Sequence, residues 1–105
     1  MLRIIHSVFS RYVFFILPLI AGTSEAADNI KGGELYTTHC VECHGLTGIS
    51  DMPSTPNFAQ SENLMKPDIQ LLIAIKNGKD VMPAYQGILK DSDILDIIAY
   101  LRTLN

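Results

Sequence analysis

Cys40-Val41-Glu42-Cys43-His44 is the feature that most restricts this chain: two thiols three positions apart, with an imidazole directly behind the second. They are the only two cysteines among 105 residues. That length allows a single domain. A domain so small rarely assembles enough core unaided and usually takes a staple. Two cysteines are too few for a disulfide framework, so the pentapeptide itself is the candidate staple. Composition narrows the field further. With 48% hydrophobic residues in periodic runs, the chain is not intrinsically disordered. With a net charge of −3 and no basic stripe, it is not built to neutralise nucleic-acid phosphates.

The first 26 residues read as a leader. Arg3 and Arg11 lie in a stretch without acids, and the 11 residues Tyr12 to Gly22 carry no charge. Ser24 and Ala26 then put small residues two apart. Basic, apolar and small-residue regions in that order form a secretory signal peptide at 1–26, cut after Ala26. The alternative is a retained anchor, but an 11-residue helix reaches only about 16 Å, roughly half the hydrocarbon core. Residues 27–105 then hold six lysines and arginines against ten acids, a charge of −4. Either way the domain is exported, and the expected location is the periplasm.

Periodicity predicts an all-α domain of three main helices. The first spans Ile30 to Cys43, where Leu35, Tyr36 and the cysteines share one face. Gly45 to Gln60 is a loop, rich in glycine, proline, serine and threonine. It is long for so small a domain, which suggests that it wraps something. The second helix spans Pro67 to Asn77, with proline suited to its first turn and Gly78 as its stop. Ile69, Leu72, Ile73 and Lys76 share a face there, flanked by Leu71 and Ile75. The third spans Asp91 to Leu104, with Asp91 as its cap and Ile94, Ile97, Ile98 and Leu101 as its apolar stripe.

C-x-x-C-H is the attachment signature of c-type haem. On one helical turn the Cys40 and Cys43 thiols lie on the same side, and each can add to one haem vinyl group. His44 then supplies the fifth ligand to iron. The competing readings are weaker. A thioredoxin-type dithiol expects a βαβ context. A zinc site expects a second ligand pair. A plain disulfide leaves the adjacent histidine unexplained. For the sixth ligand, Met82 lies in a loop between the second and third helices, and Pro83 holds it extended. Met52 and Met65 are the alternatives, and core filling is the ordinary use of a methionine. His39 reads as a surface histidine, turned away from the iron.

Residues 30–105 resemble a class I cytochrome c of the short bacterial kind. Gly32, Tyr36 and Cys40 follow the family's glycine, aromatic, cysteine rhythm. Val81-Met82-Pro83 is similar to its methionine loop, and Leu89 to Leu101 to its last helix. The resemblance implies a cytochrome c domain at 27–105, folded around one covalently attached haem. It implies a crossing of first and last helices at Gly32, Tyr36 and Tyr100. It further implies that a proline carbonyl, Pro56 or alternatively Pro53, accepts from the other ring nitrogen of His44. The chain has no tryptophan, so contacts to the haem propionates fall to donors such as Tyr85 or Asn57.

The expected function is single-electron transport between redox partners, without bond chemistry on a substrate. The acidic surface favours partners with a basic docking patch, met in brief encounters. One alternative is a haem subunit of a dehydrogenase or oxidoreductase complex. Another is a haem sensor or peroxidase-like enzyme, which needs an open sixth position.

Overall fold

The computed structural model describes residues 26–105, together with Pro18 and Gly22. The expected leader otherwise lies outside the described residues. Helix α1, Asn29–His39, starts where the Asp28 carboxylate accepts from the Ile30 and Lys31 amides at 2.9 and 3.1 Å. That satisfies two donors that the first turn leaves unpaired.

The first helix is not the single element expected from Ile30 to Cys43. Cys40 leaves helical geometry at φ −118°, and a separate turn, α2, spans Val41–His44. The amides of Cys43 and His44 both reach back to the Cys40 carbonyl, at 3.2 and 2.9 Å. Val41–His44 therefore forms its own short turn, separated from α1 at Cys40.

Helix α3, Asp68–Asn77, follows Pro67 and ends at Gly78, close to expectation. Its buried residues are Leu71 and Leu72, whereas Ile69 and Ile73 are half exposed. A helix apolar nearly all round has no single face marked in its sequence, and its neighbours chose the 71/72 side.

Helix α4, Asp91–Leu101, has its cap one position earlier than expected. Lys90 occupies the cap position, and the Asp93 carboxylate accepts from its amide at 3.1 Å; Asp91 is already helical. The helix also stops three residues short of Leu104. Thr103 and Leu104 amides close tighter turns onto Tyr100 and Leu101 at 2.8 and 3.1 Å.

No strand occurs among the described residues, only isolated bridges at Lys79–Met82 and Gln86–Leu89. The fold is all-α, with three main helices. Its core is the crossing of α1 and α4. A Cβ on Gly32 would lie 1.9 Å from the Asp96 carbonyl oxygen, so only glycine permits this approach. Tyr36 packs on Tyr100 with ring centroids 5.2 Å apart, and Tyr100 also covers Gly33. Ile94, Ile97 and Ile98 are fully buried, as their spacing predicts. Each contributes about 1.5–3 kcal/mol relative to exposure. Arg102 ties the end of α4 to the start of α3, donating to the carbonyls of Leu64 and Lys66 and pairing with Asp68 at 2.5 Å.

Candidate functional site

The crossing of α1 and α4 forms one side of a cleft, and α2, the 52–58 loop, α3 and the 79–85 loop complete it. The cavity measures about 620 Å³, within the range of cofactor pockets. Its inner wall is apolar, with Leu64, Leu71, Ile75, Leu89, Ile97 and Leu101. Cys40, Cys43 and His44 line it from the chain's first half, and Met82 lines it from the segment after α3. The cleft thus brings together all four residues expected to hold a haem.

Both thiols are free. Before haem attachment, burial pushes the Cys40 thiol up to about 11, with the neighbouring Cys43 adding to the effect. The His44 imidazole stacks on Phe58 at 5.0 Å and 21°. Burial holds His44 below the ordinary histidine range, which favours the neutral ring that a metal requires. Its Nδ1 is buried and meets no hydrogen-bond partner among the described residues. The bond expected from His44 to Pro56 or Pro53 is therefore not formed, although both prolines line the cleft. A neutral imidazole, two free thiols and apolar walls in one cleft suit a haem.

The segment bearing Met82 is tightly constrained. Lys79 and Met82 exchange backbone hydrogen bonds at 3.0 and 2.9 Å. Gly78 precedes them at φ +68°, where a Cβ would sit 2.5 Å from the Met82 carbonyl oxygen. Met52 also lines the cleft, from the loop that follows His44. Met65 is 90% exposed and lies off it.

Three expectations need correction. His39 is not a surface residue: it is half-buried, lines the cleft and meets Tyr85 edge-on at 6.0 Å. The Tyr85 hydroxyl donates to the His39 carbonyl at 2.9 Å, so that proton is already committed. Asn57 is off the cleft, and its side-chain oxygen accepts from the Gln60 amide at 3.3 Å, opening the short 3-10 turn Phe58–Gln60. The Phe58 stack was not foreseen, because nothing in a lone aromatic within a loop marks it as an imidazole's neighbour. Tyr36 is completely buried and donates to the Gly45 carbonyl at 2.6 Å, which fastens the end of α2 to α1. Burial pushes its phenol up to about 12.

Comparison with known proteins agrees with this geometry. The family described as "Cytochrome C oxidase, cbb3-type, subunit III" matches residues 27–101. Cytochrome c6 of Nostoc sp. (strain PCC 7120) is 33% identical over 78 residues, covering 72% of this chain and 70% of that protein. Cytochrome c6 of Synechocystis sp. (strain PCC 6803) is 35% identical over 86 residues, covering 78% and 70%. Cytochrome c6 of Pyropia yezoensis is 30% identical over 102 residues, covering 95% and 89%. The chain therefore belongs to the monohaem class I c-type cytochromes, as a cytochrome c6 or cbb3 subunit III-like domain that carries covalent haem c and moves electrons rather than catalysing a reaction.

Proposed function

We propose that the chain is exported to the periplasm, loses residues 1–26, and works there as a freely diffusing carrier of single electrons. In this reading the Cys40 and Cys43 sulfurs would hold the haem covalently, and His44 and Met82 would ligate its iron. The haem supplies one-electron exchange between ferrous and ferric iron. The protein's own contribution is to anchor, orient and shield. The two sulfurs fix the ring's position, the neutral His44 imidazole is held flat against Phe58, and the apolar wall keeps water from one side.

The observation that carries this reading is the shared cleft, into which two chain segments separated by α3 deliver His44 and Met82. Met82 is preferred over Met52 because its own hairpin-like backbone pairing holds it in place. Among the described residues no helix is long and apolar enough to cross a membrane. The −4 charge of residues 27–105 suits partners with a basic docking patch.

A second reading is supported by the family match, whose description names a subunit of an oxidase. There the domain would work as a haem subunit within a larger oxidoreductase. Size-exclusion chromatography of the native protein separates the two: a monomer supports the carrier, and co-elution with a larger catalytic chain supports the subunit.

Met82→Ala tests the ligand assignment. The variant should keep its covalent haem but show a lower reduction potential and bind carbon monoxide in the ferrous state. An unchanged potential would transfer the role to Met52. Mass spectrometry of the exported protein reports the cut after Ala26 and the single added haem together.

A further inference from the structure

The break between α1 and α2 releases one carbonyl. In a continuous helix the Cys43 amide would donate to the His39 carbonyl four residues back. Here that amide turns to Cys40, and the His39 carbonyl accepts instead from the Tyr85 hydroxyl at 2.9 Å. The Tyr85 ring also stands edge-on to the His39 imidazole, at 80°. Tyr85 is three residues beyond Met82, and its backbone is fastened to the end of α3. Its amide donates to the Ile75 carbonyl at 3.2 Å, and the next amide, of Gln86, donates to the Lys76 carbonyl at 3.1 Å. One side chain therefore links the helix end beside Cys40 to the segment that carries Met82.

We infer that Tyr85 is a positioning residue for the sixth iron ligand, its hydroxyl fixing how far the Met82 segment stands from the wall that carries Cys40 and His44. The inference rests on the reading of Met82 as that ligand. Tyr85 acts through the chain, because its hydroxyl is spent on a backbone carbonyl. The attachment motif itself creates the acceptor: the same kink that aims α2 into the cleft frees the carbonyl that Tyr85 takes. Residues 79–84 have their own short-range pairing between Lys79 and Met82, but that pairing only shapes the segment. The Tyr85 bond spans 46 residues and docks it.

The test uses the haem-loaded protein and titrates the ferric iron with imidazole, alongside the reduction potential. Tyr85→Phe keeps the ring and removes only the hydroxyl. Losing one neutral hydrogen bond should tighten apparent imidazole binding by about two- to tenfold. The potential should fall, as the thioether leaves iron more often. In a Met82→Ala background the same Tyr85→Phe change should add nothing, because the ligand it positions is gone. Wild-type affinity and potential in Tyr85→Phe, with Met82→Ala open to imidazole, would overturn the inference alone. An equal gain from Tyr85→Phe in both backgrounds would also overturn it. A Met82→Ala protein no more open than wild type would instead remove the ligand assignment beneath it. If Tyr85→Phe does not mature, proton NMR of the wild-type protein decides. The Tyr85 hydroxyl proton should be protected from solvent, and exchange as fast as in free tyrosine would count against the bond.

Discussion

A methyl group at Gly32 would fall 1.9 Å from the Asp96 oxygen and 2.4 Å from its carbonyl carbon. Both atoms belong to the backbone of α4, so no side chain can swing aside. Gly32→Ala must push the two helices apart, at the upper end of the roughly 1–3 kcal/mol typical of overpacking, or beyond it. Urea unfolding of the haem-loaded variant should show the midpoint falling accordingly. Single residues were legible in the sequence where their role is local. Cys40, Cys43 and His44 were read from their own spacing, and Gly32 from the family resemblance. His39 was not legible, because its burial depends on Tyr85, 46 positions away.

At the scale of elements, α1 and α4 are joined at their N-terminal ends by charge as well as by packing. Lys31 lies 3.1 Å from Asp93 and 3.9 Å from Asp96, and the Asp28 amide donates to Asp96 at 2.8 Å. The bond from the Lys90 amide, and then Lys31, hold the Asp93 carboxyl below its ordinary 3.8. The hydrogen bond to Asp93, and then its charge, hold Lys31 above 10.5. The depressed carboxyl adds stability above about pH 4 that is lost as pH falls through its lowered value. The raised ammonium adds stability below 10.5 that is lost as pH rises through its raised value. The difference in melting temperature between wild type and Asp93→Asn should therefore be largest near neutrality and shrink at both extremes. A difference that stayed constant from pH 3 to 7 would show that the charge of Asp93 is not responsible. The stripe of α4 was readable because four isoleucine and leucine positions repeat at helical spacing. The buried side of α3 was not, since Ile69 and Ile73 are as apolar as Leu71 and Leu72.

At the scale of the molecule, the cleft is a large part of the interior. Leu64, Leu71, Leu89, Ile97 and Leu101 belong both to the buried core and to its wall. A chain matured without haem would leave the cleft in front of that wall to water, at about 25 cal/mol per Å² of apolar surface left uncovered. Total stability in so small a domain is only about 5–15 kcal/mol. The Cys40→Ala/Cys43→Ala double variant, exported without attached haem, should therefore unfold without a cooperative transition, with helical circular dichroism well below that of the holoprotein. A sharp transition near the wild-type midpoint would show that the helices sustain the core by themselves.

The primary structure alone determined the attachment chemistry, since Cys40, Cys43 and His44 are neighbours in the chain and a single turn suffices to align them. It likewise determined the α4 stripe, which rests on short-range spacing. Tertiary structure decided which methionines reach the cleft, which face of α3 turns inward, and that Phe58 lies against His44. It also decided that Tyr85 takes the carbonyl released at His39. Those choices join residues far apart in sequence, where spacing carries no signal and only packing between elements selects the partner.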